Sequence, residues 1–142
     1  MIRVLGFDQK EHKFNFAKNK NRKYLSNKSS LHVKTREIIE ELFPTLSVYE
    51  EVTLPGSKKL GRSSLLYADF FIPELMLIVE AHGRQHYQYC SFFHANKIDF
   101  INTKKRDLDK IEWCEMNDIK IAVLPFDRKE EWKQIILTIA NQ

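Results

Sequence analysis

The sequence predicts an α/β domain in which a mixed central sheet is flanked by helices, and three observations carry that expectation. Two strongly apolar stretches, Leu65 to Ile72 and Leu75 to Glu80, are separated only by Pro73 and Glu74, an interval that suits an antiparallel hairpin. A helical pattern precedes them, from Ser29 or Ser30 to about Phe43. A long helical stretch, about Lys97 to Asn117, follows them and leads into the apolar run Ile119 to Leu124. A strand reached through a crossover helix pairs in parallel with a neighbour, so the sheet is expected to be mixed.

Taken in order, Ile2 to Phe7 is expected to form a short strand, and the basic segment after it has no clear periodicity. Ser29 or Ser30 is the N-cap of the first helix, whose inner side carries Leu31, Thr35, Ile38, Ile39, Leu42 and Phe43. Pro44 stops it. Ser47 to Leu54 reads as a strand, with Val48, Val52 and Leu54 at alternating positions. Pro55 to Ser64 is a basic loop containing glycine, and Gly83 to about His94 is polar, aromatic and irregular. In the long helix Leu108, Ile111 and Cys114 or Glu115 share one side, and a last helix covers about Lys129 to Ala140. Trp113 and Trp132 are expected to anchor the core. The order from the first helix to the last strand is helix, three strands, helix, strand.

A chain of 142 residues, 43% hydrophobic and 30% charged, has room for one domain with a real core and is too apolar to be disordered. No stretch approaches the roughly 18 apolar residues needed to span a membrane, and the N-terminus lacks a signal-peptide pattern. A cytoplasmic protein is expected. Cys90 and Cys114 form no CxxC pair, so a zinc site of cysteines alone is not expected.

Net charge is only +4, and its distribution says more than its size. Between Lys10 and Lys34 the cations include Lys18, Lys20, Arg22 and Lys23, with Glu11 the one acid, and Phe14, Phe16 and Tyr24 are interleaved. Such a segment suits a phosphate backbone, where each cation releases a counterion. Residues 1–29 are therefore read as a basic arm, and residues 30–142 as the folded domain. Lys58, Lys59 and Arg62 in the glycine loop, together with Arg84, are further candidates for DNA contact.

The chemistry concentrates between Asp69 and Tyr87, DFFIPELMLIVEAHGRQHY. Asp69 sits inside an apolar strand, and Glu80 ends the next one. Desolvating an unpaired carboxylate costs several kcal/mol. A hairpin brings the two together, and a divalent cation, Mg²⁺ or Mn²⁺, shared between them would offset their repulsion. His82, two residues beyond Glu80, points to the same side of the strand and can handle a proton. Gly83 permits a sharp exit, which places Gln85 and His86 to reach back toward metal or phosphate. Asp107 and Lys110, three apart on a helix, either face this site together or form a surface salt bridge.

Asp69, ten residues, then Glu80-Ala81-His82 resembles the PD-(D/E)XK nuclease signature with histidine in the lysine position. The Ala-His-Gly-Arg-Gln-His-Tyr run is similar to the corresponding segment of Vsr-like endonucleases and their phage and homing relatives. Lys105-Arg106-Asp107 with Lys110, followed by Ile119 to Leu124, resembles the helix and closing strand of the same families. The likeness covers roughly residues 30–126. It implies an αβββαβ core, magnesium held by Asp69 and Glu80, and a histidine, His82 or His86, assisting water or the scissile phosphate. It also implies a glutamate on the first helix facing the site, for which Glu37, Glu40 and Glu41 are candidates and Glu37 is preferred. Two departures stand out: Ala68 precedes Asp69 where the signature has proline, and the cysteine set of the mismatch enzymes is missing, so mismatch specificity is not carried over.

The function expected is metal-dependent endonuclease action on duplex or branched DNA, as a monomer or a homodimer matching the duplex two-fold. A non-catalytic DNA-binding module on the same fold is the alternative, and a histidine-and-carboxylate metalloenzyme on a small molecule is a third class. Clustered carboxylates beside phosphates argue for the first, because a pure binding protein has no use for them.

Overall fold

The computed structural model describes residues 2–17 and 29–142. Along them run β1 (Ile2–Leu5), β2 (Glu11–Phe14), α1 (Ser30–Leu42), β3 (Tyr49–Leu54), β4 (Leu66–Ile72), β5 (Leu77–His82), α2 (Lys97–Met116), β6 (Lys120–Pro125) and α3 (Trp132–Ala140). The main sheet has the order β3-β4-β5-β6, antiparallel at its first two pairings and parallel at the last, so it is mixed. The crossover through α2 accounts for the parallel pair, since a strand re-entering beside β5 needs a helix-length return.

Each face of the sheet is covered. On one side Ile38 and Ile39 of α1 and Trp132 and Ile136 of α3 pack with Phe70, Ile72, Leu77, Val79, Ala122 and Leu124. On the other, Trp113 and Cys114 of α2 pack with Val52, Leu54, Phe71 and Ile78. Both tryptophans are fully buried, as expected, and each indole N–H finds a carbonyl: Trp113 donates to Pro55 O at 2.9 Å and Trp132 to Pro125 O at 2.7 Å. Ser29 caps α1 by accepting from the His32 amide.

Three features depart from the sequence expectation. The start of the expected arm is a hairpin, β1 on β2, whose Val4 and Phe14 enter the core against Trp113 and Phe71. Over residues 2–14 the arm therefore belongs to the domain, because alternation in a four-residue strand is too short a signal to stand out. Gly56, at φ +71°, lets this hairpin approach: a Cβ there would lie 2.6 Å from the Gly6 Cα, and Phe7 donates to Gly56 O at 2.8 Å. Lys18, Lys20, Arg22 and Lys23 lie outside the described residues.

The connection between β4 and β5 is a 3-10 turn, Pro73–Leu75, followed by Met76 in the left-handed region at φ 47°. That delays β5 by two residues and carries it to His82. Finally, Leu108 is exposed and the inward stripe of α2 is Thr103, Asp107, Lys110 and Cys114. That stripe has helical spacing but is polar where it passes the end of β5, so an apolar pattern did not reveal it.

Candidate metal centre and its cleft

The ladder between β4 and β5 ends at the pair Phe70–Val79. Beyond it the strands are joined by side chains instead. The Asp69 amide donates to Glu80 Oε2 at 2.6 Å, and the Ala81 amide donates to Asp69 Oδ2 at 2.9 Å. Alternation along β5 puts Glu80 and His82 on the same face as Ile78, the face that α2 covers. Lys110 of α2 places its ammonium on Glu80 Oε1. One turn earlier, Asp107 meets His86 Nδ1 at 2.9 and 3.1 Å and lies 4.0 Å from His82 Nε2. His82 Nε2 is also 3.9 Å from Glu80 Oε1.

Local geometry explains how two histidines come together. After Gly83 the chain makes a single 3-10 turn, Arg84–His86, which folds His86 back over His82. The rings stack with centroids 4.0 Å apart and planes 8° from parallel. Gln85 lies across Gly83, where a Cβ would come within 2.5 Å of its Oε1. Asp69, Gln85, His86, Asp107 and Lys110 then line a cleft of about 390 Å³, and Glu80 and His82 are buried against it.

The carboxylates are pushed apart electrostatically. Burial and the neighbouring Glu80 charge raise the Asp69 carboxyl to about 7, against the pull of Lys110. Burial also works against the Glu80 anion, but the Lys110 charge and the hydrogen bonds around it hold that carboxyl below its ordinary value. Burial disfavours the Lys110 ammonium, yet Glu80 outweighs it and the lysine stays protonated well past neutrality. Lys110 is thus a fixed cation rather than a base.

His82, His86 and Asp107 each offer a ligand atom, and these atoms lie within 4.8 Å of one another, so the group can coordinate a divalent metal. Two imidazoles and one carboxylate form a donor set that suits Mn²⁺ or another first-row ion better than Mg²⁺, which favours oxygen ligands. The sequence pointed to Asp69 and Glu80 as the metal pair. Both stand at this site, but Glu80 is already engaged by Lys110 and the Asp69 amide, and the grouped donors are the two histidines and Asp107.

The other expected residues are placed as follows. Glu37, the preferred helix glutamate, is exposed on α1, as are Glu40 and Glu41, and Glu41 accepts from Lys133 at 2.9 Å. The helix turns His32 inward instead. It stacks on Phe70 and meets Glu50 Oε1 at 2.8 Å, while Arg36 binds both oxygens of the same carboxylate. Glu50 was not anticipated, although an acid within an alternating strand was the same clue that singled out Asp69. In the glycine loop Lys58 is exposed, Lys59 pairs with Asp109 and Glu112 at 2.9 and 2.8 Å, and Arg62 pairs with Asp109 at 3.0 Å. That loop is strapped to α2. Arg84 is exposed and its guanidinium lies 5.3 Å from the centre of the Phe126 ring.

Three virus-encoded proteins are similar to parts of this chain. "Uncharacterized protein 307L" of Invertebrate iridescent virus 6 is 37% identical over 65 residues, 46% of this chain and 33% of its own. "Uncharacterized protein 033L" of Invertebrate iridescent virus 3 is 38% identical over 64 residues, 45% of this chain and 33% of its own. "Uncharacterized protein 094L" of Frog virus 3 (isolate Goorha) is 29% identical over 83 residues, 58% of this chain and 54% of its own. The matched stretch spans about a third of the length of the first two relatives. No protein-family model matches the chain, and no solved structure matches it significantly.

Proposed function

We propose that the chain is a metal-dependent nuclease of the PD-(D/E)XK type, related to the Vsr-like enzymes and cutting DNA. The observation that carries this reading is the convergence in one cleft of Asp69 and Glu80 from a hairpin, a partly buried Lys110, and the His82–His86–Asp107 group. Phosphodiester hydrolysis needs a cation, an activated water and charge stabilisation at the phosphoryl oxygens, and this set contains groups for all three.

His82, His86 and Asp107 would hold the cation, with Asp69 in the same cleft. A bound divalent ion supplies Lewis-acid polarisation of the phosphoryl oxygen and lowers the pKa of a coordinated water. The remaining work falls to the chain. Lys110 supplies the positive charge that the signature's lysine would bring, reaching from α2 because His82 fills the strand position. Asp69, whose carboxyl is raised to about 7, is placed in pKa to take or give a proton near neutrality. Gln85 has an amide that can hold the phosphate's orientation. Exposed Lys58 and Arg84, and the cations of residues 18–23, are candidates for contact with the strand backbone.

The test is cleavage of supercoiled plasmid with Mn²⁺, Mg²⁺ or EDTA by the wild type, Asp69→Ala and His86→Ala. Nicking or linearisation that requires metal and is lost in both variants is the expected result. Tight DNA binding without cutting in any metal would replace this reading with a non-catalytic DNA-binding module.

A further inference from the structure

The aromatic rings that stay in solvent are gathered around one feature. Phe14, Phe70, Phe71, Trp113 and Trp132 are fully buried. Among the described residues the aromatics left exposed are Tyr67, Tyr87, Tyr89, Phe92 and Phe93. Tyr67 and Phe93 line the same cleft as Asp69, His86 and Asp107. Phe92 meets the Phe93 ring edge-on, with centroids 4.9 Å apart. Tyr89 stacks on His94, another residue of the cleft wall, and Tyr87 follows His86 directly. Single exposed rings need no explanation, but a group of them marks a binding surface.

The two phenylalanines are also held in place. The Phe93 and His94 amides both donate to Cys90 O, at 3.0 and 2.8 Å, and the Cys90 amide donates back to His94 Nδ1 at 3.0 Å. The buried His94 ring meets Phe100 of α2 edge-on at 5.5 Å. It roots the turn in the domain while Phe92, 89% exposed, and Phe93, 57% exposed, stand clear. Groups ordered before binding lose little freedom when a ligand arrives.

The charge beside these rings selects the occupant. Lys104, Lys105 and Arg106 follow one another on α2, all exposed, and no acid lies within ion-pair distance of them among the described residues. Lys104 lies 5.4 Å from the centre of the Tyr87 ring, and Arg106 gives an N–H to Thr103 Oγ1 at 3.2 Å while lining the cleft. An apolar protein face would leave these cations unmatched. Flat rings among cations suit a strand of bases and phosphates. A duplex keeps its base faces stacked inside the helix, so only unpaired bases can lie on a protein ring.

We propose that Phe93, with Phe92 and Tyr67, is a stacking platform for bases beside the metal group, and that the substrate class is an unpaired stretch of a DNA strand rather than an intact duplex. The identity of the ligand as DNA rests on the nuclease reading, but stacking needs neither metal nor cleavage.

The experiment is fluorescence anisotropy of the full chain in EDTA with labelled probes: a short oligothymidylate, an abasic strand of the same length, and a blunt duplex of that length. Wild type is expected to bind oligothymidylate at least about tenfold more tightly than the other two, near the value of one base on one ring. Phe93→Ala should weaken oligothymidylate by about tenfold and the abasic strand hardly at all, since that strand has nothing to stack. Phe93→Trp should keep the affinity, and its indole fluorescence should be quenched as the strand binds. Leu60→Ala, at an exposed aliphatic side chain outside the cleft lining, should bind as wild type does. An abasic strand or duplex bound as tightly as oligothymidylate, or a folded Phe93→Ala equal to wild type, would overturn the platform. Self-association in sedimentation that Phe93→Ala abolishes, with no preference for bases, would assign the rings to a second copy instead. Metal-dependent cutting of an intact duplex without base-dependent binding would remove this inference and keep the nuclease. Base-dependent binding in EDTA by a chain that cuts nothing in any metal would do the reverse.

Discussion

The backbone amide of Asp69 donates to the carboxylate of Glu80 at 2.6 Å, so the second acid of the hairpin completes the strand pairing where the ladder stops. Glu80 therefore has two tasks: it closes the end of β4–β5, and it fixes Lys110 of α2 over the cleft. The site is held by the same contacts that hold the end of β4 and β5 to the helix, and that coupling governs what substitutions there will do.

Replacing Lys110 by Met leaves Glu80 buried beside Asp69 without its cation. Loss of one partner of a buried pair costs roughly 3–5 kcal/mol, and urea unfolding should show a drop of that order. The double variant Lys110→Met, Glu80→Gln should recover most of it, because the uncompensated charge is gone. A double variant as unstable as the single one would mean that packing, not charge, holds α2 to the strand end.

Metal preference follows from the donor set. Isothermal titration should show Mn²⁺ binding more tightly than Mg²⁺, by about tenfold or more, since imidazole ligands favour the later first-row ions. Asp107→Asn should weaken Mn²⁺ by at least about tenfold, through loss of a charged ligand and of the partner of His86. Equal affinity for the two ions, unchanged in that variant, would return the metal to Asp69 and Glu80.

Acid stability should depend on Glu50. Burial pushes its carboxyl up, but the hydrogen bonds from His32 and Arg36, with the Arg36 charge, outweigh that and hold it at about 2, below the ordinary 4.5. A carboxyl depressed on folding stabilises the fold above its unfolded value and loses that contribution as pH falls from 4.5 through 2. The contribution is on the order of 3 kcal/mol. Urea midpoints between pH 7 and 2.5 should fall more steeply for the wild type than for Glu50→Gln, which starts lower at pH 7. Parallel profiles would show that Glu50 gains nothing from its partners.

Gly56→Ala should loosen the first hairpin. Its φ of +71° is strained for alanine and its Cβ would press on the Gly6 backbone. A cost of about 2 kcal/mol would lower Tm by roughly 5 °C, whereas Gly61→Ala, also at positive φ but with open space around it, meets only the backbone strain and should cost less. Equal losses at both positions would argue that the approach of the hairpin matters little.

Much of this was legible beforehand where apolar periodicity was strong. The α1 helix, the β4–β5 hairpin, the crossover and the parallel last strand follow from runs such as Leu77–Val79 and from Pro44 and Pro73. Asp69 and Glu80 stood out because acids inside apolar strands call for an explanation. Asp107 and Lys110 were visible only as a pair that could face inward, since an inward-facing polar stripe looks like a solvated one until the partner is known. His32 and Glu50 were hidden for the same reason: each is explained by the other, 18 residues away. Of the first hairpin the leading strand was expected, whereas β2 and its pairing escaped because Glu11–Phe14 is only four residues long and lies among cations.

The parallel pairing of β5 with β6 has a kinetic consequence. The hairpin carrying Asp69 and Glu80 is local and can close early, whereas α2 reaches its place only as the crossover completes, the slower kind of contact to form. For that interval two carboxylates face each other before Lys110 arrives, and their mutual repulsion opposes closing of the strand end. Neutralising Glu80 should therefore speed refolding while it lowers final stability, a separation that stopped-flow refolding of Glu80→Gln would reveal as a faster folding limb and a faster unfolding limb together.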